Sequence, residues 1–75
     1  MKLVCKFTTR VGEFYIGQSS DGRFHPIFQN ESLGSYSQIW QATEDLAGGH
    51  TFSVSDIDDT SVLGIPEDPS EWETL

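Results

Sequence analysis

Basic residues are scarce in this chain of 75 residues, and its second part has none. The sequence contains four Lys and Arg residues against twelve Asp and Glu residues, for a formal net charge of −8. All four basic residues lie in residues 1–50, whereas residues 51–75 hold seven acidic residues and no Lys or Arg. Because nucleic-acid phosphates and anionic membranes attract positive charge, we expect the protein to bind neither.

Cysteine and long apolar runs are scarce as well. Cys5 is the only cysteine, which excludes an intramolecular disulfide, and its apolar strand context indicates a buried side chain rather than a reactive thiol. No apolar run of the kind found in secretion signals follows Met1 and Lys2. No segment approaches the length of about 18 apolar residues that spans a membrane. We therefore expect a cytoplasmic protein.

Three segments with strand character predict an antiparallel sheet. Residues 2–9 alternate between apolar and mixed positions, and residues 12–16 and 23–28 are rich in residues typical of strands. The Asp-Gly pair at residues 21–22 favours a type I′ turn, in which both central residues have a positive φ. Pro26 lacks a backbone N–H, so we expect its strand at an edge of the sheet or locally bulged.

One helix follows these segments and ends at a pair of glycines. Ser37 is a candidate N-cap, and a capping box from Ser35 to Gln38 is the alternative start. We expect Gly48 to be the left-handed residue at the C-terminal end of the helix. A short β-prone stretch at residues 50–54 is a candidate for a fourth strand.

Together these elements predict an α+β fold, a small three- or four-stranded antiparallel sheet packed against one α-helix. We place the sheet and helix in residues 1–54 and an acidic C-terminal extension, partly folded back on that domain, in residues 55–75. A core of this size supplies only about 3–5 kcal/mol of net stability, which leaves little room for an enclosed active site. The small size therefore favours a protein that is not an enzyme. We also expect a monomer.

An aspartate-rich stretch in the second part of the chain is similar to a catalytic motif. Residues 52–60 (FSVSDIDDT) resemble the first motif of haloacid-dehalogenase-type phosphatases, D-x-D-x-T after an apolar strand. The resemblance implies a nucleophile at Asp56 and an acid/base at Asp58, beside Mg²⁺. That family also needs further Lys and Asp motifs downstream, and only fifteen residues follow Thr60. We therefore predict no catalysis and no cofactor here.

The same stretch also has the spacing of a calcium-binding loop. Asp56, Asp58 and Thr60 take the first, third and fifth positions of such a loop, and Glu67 takes the twelfth. The sharp turn of a calcium loop needs a glycine at the sixth position, which is Ser61 here. We therefore predict no dedicated metal site. His25 and His50 have no Cys or His at ligand spacing, so we do not expect a zinc site either.

The two tryptophans have different predicted roles. We expect Trp40 to pack at the seam between helix and sheet. Trp72 lies between two glutamates, where it either folds back on the domain or serves as an aromatic anchor for a partner. We favour the folded-back position, because Pro66 and Pro69 restrict the segment.

The order of elements resembles a known DNA-binding fold. Gly22-Arg23-Phe24, then Leu33-Gly34-Ser35-Tyr36, then a helix with Gln41-Ala42, are similar to the three-stranded-sheet-plus-helix domain of plant ethylene-response transcription factors and of phage integrase arms. Those domains read DNA with Arg, Lys and Trp on the exposed sheet. Here only two arginines, Arg10 and Arg23, are placed for that task, so the likeness extends to the fold and not to the function.

A second resemblance covers nearly the whole chain. Its motifs are GEFYI at residues 12–16, DGRFH at residues 21–25, DLAGGHTF at residues 45–52, and LGIP at residues 63–66 followed by Trp72. These motifs resemble those of a group of short bacterial proteins of unknown function. The resemblance implies a self-contained bacterial protein and no particular activity.

We therefore predict a small bacterial protein-binding module without catalytic activity. The predicted partner is a protein, and a basic one, because the acidic charge would attract it. One alternative is an acidic inhibitor that mimics nucleic acid. The other is a divalent-cation-dependent phosphohydrolase or ligand-binding protein that uses the cluster Asp56 to Asp59. The residues predicted to contact the partner are Tyr15, Arg23, His25, Asp56, Asp58, Asp59 and Trp72.

Overall fold

The computed structural model describes residues 1–50 and 60–75, which form one antiparallel sheet with one α-helix. Short 3₁₀ helices occupy Thr60–Leu63 and Pro69–Glu71. The strand order in the sheet is β4-β3-β2-β1-β5. The strands and helix are β1 (Lys2–Thr9), β2 (Gly12–Gln18), β3 (Phe24–Phe28), β4 (Glu31–Ser32), α1 (Ile39–Gly48) and β5 (Glu73–Thr74).

The α+β class and the antiparallel sheet are confirmed, but the part of the chain that the structure describes already contributes five strands to the sheet instead of three or four. The two additional strands, β4 and β5, have two residues each and lie at the two edges of the sheet. Two residues are too few for an alternating pattern, so the sequence carries no signal for them. The strand predicted at residues 50–54 falls almost entirely outside the described residues.

Pro26 lies opposite Ile16 in the β2–β3 pair, yet its missing N–H removes no bond between these strands. Phe24 exchanges backbone hydrogen bonds of 2.8 Å with Tyr36, and the Pro26 carbonyl accepts one of 2.7 Å from Leu33. Alternate residues of β3 therefore direct their backbone groups away from β2. The nitrogen of Pro26 faces the side of β3 away from β2. Strand β4 pairs only with Ile27 and Phe28 on that side, so the missing N–H of Pro26 breaks no ladder hydrogen bond.

The turns differ from the prediction. Gly22 has a positive φ of 84°, but Asp21 does not, so the loop between β2 and β3 is not a type I′ turn. The Gly22 amide donates to the Ser19 carbonyl at 2.9 Å, as in a type I turn followed by a left-handed residue. Both central residues have a positive φ in the β3–β4 turn instead, at Gln29 (53°) and Asn30 (64°).

Helix α1 begins and ends one residue later than the favoured prediction. Its N-cap is Gln38, with a reciprocal capping box to Gln41, so neither Ser37 nor Ser35 is the cap. The Ser37 hydroxyl donates instead to the Gln41 side-chain oxygen at 3.0 Å, an oxygen that also accepts from the Gln38 amide at 3.2 Å. The left-handed C-cap residue is Gly49, with φ of 77°, and not Gly48.

The core lies between α1 and one face of the sheet, and the C-terminal segment closes it. Trp72 is only 3% exposed, its ring centroid lies 5.9 Å from that of Phe7, and the predicted fold-back of its side chain is confirmed. Cys5 is buried as predicted, and burial raises the pKa of its thiol. The Thr43 hydroxyl on α1 donates to the Glu67 carbonyl at 2.6 Å. The buried apolar residues are Cys5, Phe14, Ile16, Phe28, Leu33, Ala42, Leu46, Ile65 and Trp72.

Candidate functional site

An open groove runs between the start of α1, the loop before it and the beginning of β3. It has a volume of about 420 Å³ and contains the half-exposed ring of Trp40. We call it the Trp40 groove. Its lining residues are Arg23, Ser35, Tyr36, Ser37, Trp40, Gln41, Glu44 and Asp45.

Trp40 is 51% exposed, so the prediction that it packs at the helix–sheet seam is wrong. The buried face of α1 carries Ala42, Thr43 and Leu46. Trp40 lies off this face and shares its side of the helix with Glu44, one turn further on, because residues four apart are neighbours on a helix. The sheet covers only one side of α1, and the tryptophan is left on the other side with an acidic neighbour.

Arg23 is fixed in the groove by a single residue of the loop before α1. Its Nε donates to the Ser35 hydroxyl oxygen at 2.6 Å, and its Nη2 donates to the Ser35 carbonyl at 3.1 Å. Within the described segments, no carboxylate forms an ion pair with Arg23. Ser35 takes the Nε side of the guanidinium, and no side chain in residues 1–50 or 60–75 bonds the edge formed by Nη1 and Nη2, which has the shape to hold a bidentate acceptor.

Tyr36 forms the wall of the groove and is half-buried. Burial raises the pKa of its phenol to about 12, and the hydrogen bond to Asp45 and the negative charge of that carboxylate contribute further. The phenol therefore stays neutral and donates to Asp45 throughout the physiological range. This contact directs the Asp45 carboxylate towards Tyr36.

A second groove shares Ser35 and Tyr36 with the Trp40 groove, and its volume is about 580 Å³. We call it the histidine groove, because the fold brings His25 and His50 to the same cavity although they are distant in sequence. Within residues 1–50 and 60–75, no group of three His, Cys, Asp or Glu side chains is placed to hold a metal ion. The lining residues are His25, Ser32, Leu33, Gly34, Ser35, Tyr36 and His50.

Ser19 and His25 are at a distance typical of a nucleophile and its base, with 3.0 Å between Oγ and Nε2. The Ser19 hydroxyl, however, also donates to the Asp21 carboxylate, and this bond lowers the pKa of Asp21. Ser19 is not among the residues that line the histidine groove beside His25. The pair therefore connects a turn to a strand, and its geometry supports no attack on a substrate.

The structure separates the residues predicted to form one partner-binding surface. Tyr15 lies on the sheet face away from α1, where its hydroxyl donates to Glu13 at 2.5 Å and this bond raises the pKa of the phenol. Arg23 lines the Trp40 groove and His25 the histidine groove. Trp72 is buried, so it is not an exposed anchor for a partner.

Three of the predicted contact residues, Asp56, Asp58 and Asp59, lie outside the described residues. The roles predicted for them, including cation binding, remain predictions. The residue that sequence reasoning missed is Trp40, whose exposure depends on which side of α1 the sheet covers. A possible signal was its position beside the apolar positions 39, 42, 43 and 46 instead of among them.

Comparison with known proteins supplies no further information on the site. No protein-family model, no curated protein and no solved structure matches this chain. The two resemblances described from sequence motifs therefore remain predictions. No helix within the described residues is long and apolar enough to cross a membrane.

Proposed function

We propose that this protein is a non-catalytic protein-binding module of the cytoplasm and that it binds its partner through the Trp40 groove. The observation that carries the proposal is a half-exposed tryptophan beside a fixed arginine that has no acidic partner among the described residues. Trp, Tyr and Arg are the residues that most often dominate the binding energy of protein interfaces. Trp40, Tyr36 and Arg23 line this one groove.

The groove is also organised before binding. Ser35 holds the Arg23 guanidinium through two hydrogen bonds, and Asp45 holds the Tyr36 hydroxyl. Ordering a long side chain at an interface costs about 0.5–1.5 kcal/mol, and side chains that are already held avoid much of that cost. Trp40 also costs little entropy to order, because a tryptophan side chain has few rotatable bonds. Its ring nevertheless offers a broad contact area.

The charge distribution favours a partner that is basic overall. The formal net charge of −8 attracts a basic protein over long distances and accelerates its association. Glu44, one helical turn from Trp40, provides a local acceptor for a Lys or Arg side chain of the partner, which can also lie on the indole ring. The open edge of Arg23 accommodates one carboxylate of the same partner.

Affinity capture with matched variants tests the proposal. The bait proteins are the wild type, Trp40→Ala, and Val11→Ala as a control, because Val11 is a comparably exposed apolar residue (41% against 51%) outside the groove. All three baits are first checked for the native amide spectrum. We expect one partner to be enriched equally by the wild type and Val11→Ala and to be lost with Trp40→Ala. Equal enrichment by all three baits would show that binding does not use this groove.

A further inference from the structure

The side chain of His25 lies between two loops that border the Trp40 groove. Its Nε2 is 3.0 Å from the Ser19 hydroxyl oxygen in the β2–β3 turn. Its Nδ1 is 2.9 Å from the carbonyl oxygen of Gly34 in the loop before α1, and 3.3 Å from the Ser32 hydroxyl oxygen. One half-buried ring thus contacts residues six positions before it and nine positions after it.

The chemistry of these partners determines which ring nitrogen of His25 donates a hydrogen bond. The Gly34 carbonyl is only an acceptor, so Nδ1 must donate to it. Ser32 also donates to the Gly34 carbonyl, at 2.9 Å, so its oxygen faces Nδ1 with a lone pair. The Ser19 hydroxyl lies within hydrogen-bond distance of Nε2, the Asp21 carboxylate and the Arg23 carbonyl. The ring therefore donates from Nδ1 to the loop before α1 and contacts the β2–β3 turn with Nε2.

The residue after Gly34 is the one that holds Arg23. Ser35 accepts from the Arg23 guanidinium with its hydroxyl and its carbonyl, at 2.6 and 3.1 Å. The next residue, Tyr36, exchanges two backbone hydrogen bonds with Phe24. The loop is thus fixed at three successive residues, and His25 provides the side-chain contact on the side of the histidine groove.

We propose that His25 is a positioning residue for the Trp40 groove: by connecting Ser19 to Gly34 it holds Ser35 where Ser35 fixes the Arg23 guanidinium. The inference rests on the proposed function, because that function makes the fixed Arg23 guanidinium a contact for the partner. It also replaces the role first predicted for His25. The ring does not contact the partner; it supports Ser35, which in turn fixes the Arg23 guanidinium.

The Nε–H signal of Arg23 in ¹H–¹⁵N spectra of the full-length protein tests this proposal without any partner. We expect this proton to be protected from solvent exchange in the wild type and to exchange roughly tenfold faster in His25→Phe, which cannot donate. His25→Gln, which keeps one donor, should give an intermediate rate. His50→Phe is the matched control, because His50 lines the same groove but makes no hydrogen bond to either loop within the described residues.

The amide spectrum establishes whether each variant folds. If His25→Phe does not fold, Ser19→Ala removes the Nε2 contact, together with the contacts of this hydroxyl to Asp21 and the Arg23 carbonyl, and should also accelerate the exchange of the Arg23 proton. An unchanged Arg23 signal in a folded His25→Phe or Ser19→Ala protein would overturn the inference, as would an equal change in His50→Phe. Failure of the proposed function has a different signature, because capture would then be insensitive to Trp40→Ala while Arg23 kept its dependence on His25.

Discussion

The indole N–H of Trp72 donates a hydrogen bond of 3.0 Å to the carbonyl of Pro66. This contact bends the segment back on itself and places the ring in the core, 3% exposed. The other tryptophan, Trp40, is 51% exposed on the outer side of α1. The same residue type is therefore part of the core at one position and part of the surface at the other.

This difference predicts opposite results for two alanine variants. Trp72→Ala removes a large buried ring and leaves a cavity, which costs about 3–5 kcal/mol, as much as a core of this size supplies, so this variant should be largely unfolded. Trp40→Ala should change the free energy of unfolding by no more than about 0.5 kcal/mol, as is usual for exposed positions. Amide spectra show whether each variant folds, and urea denaturation measures the free energy of unfolding of those that do. Similar losses for the two variants would contradict the burial of Trp72 as the source of its contribution.

Two adjacent glycines give a second prediction. Gly49 has φ of 77° at the end of α1, whereas Gly48 is the last helical residue. Gly49→Ala should cost about 1 kcal/mol, because a Cβ is strained in the left-handed region.

Gly48→Ala provides the matched control for Gly49→Ala. Its new Cβ meets only the ring of His50, an exposed side chain that can move aside, at 2.8 Å. Thermal unfolding of the two variants should therefore show the larger loss for Gly49→Ala. The reverse order would place the C-cap at Gly48.

The acid limb of the stability curve should depend on Asp68. Its carboxylate accepts from the Ser70 amide at 2.9 Å, which lowers its pKa in the folded protein below the ordinary value of 3.8. The ionised form is thus favoured by folding, so this contribution is present above the unfolded pKa and is lost as the pH falls through the folded pKa. Asp68→Asn should flatten the fall in stability as the pH drops below the ordinary value of 3.8. An unchanged acid limb in denaturation curves would contradict this linkage.

At alkaline pH the relevant group is Tyr36. Its pKa of about 12 lies above the ordinary value of 10.0, so folding favours the neutral phenol. The resulting stabilisation is present in full below pH 10 and is lost as the pH rises through about 12. In a Tyr15→Phe background, absorbance titration reports on Tyr36 alone. Asp45→Asn should lower this pKa without returning it to 10.0, because burial is the larger cause; no change at all would remove Asp45 from the explanation.

The parts of the fold that the sequence predicted are those with repeated local signals. Alternation along residues 2–9 and 12–16 predicted β1 and β2, and the prolines before Trp72 favoured its folded-back position. Strands of two residues carry no such alternation, and β4 and β5 form only because longer neighbours provide a ladder for them. The strand order also depends on contacts between distant parts of the chain, since β5 near its end pairs with β1 near its start, and local patterns do not specify such contacts.

The site was harder to predict than the fold, for a similar reason. Arg23 is exposed, but its fixed position depends on Ser35, twelve residues further along the chain. The exposure of Trp40 depends on which side of α1 the sheet covers, and the helical pattern alone does not specify how far that cover extends. Both the fixed position of Arg23 and the exposure of Trp40 therefore depend on contacts between residues that are distant in sequence.

The most direct test of the binding proposal is to titrate the ¹⁵N-labelled protein with the partner enriched in the capture experiment and to record which signals change. The account predicts that the largest and saturable changes occur at the Trp40 indole N–H and the Arg23 Nε–H, with little change at Tyr15 on the far sheet face. Changes confined to the surroundings of Tyr15, with the Trp40 indole signal constant, would contradict the Trp40 groove as the binding surface.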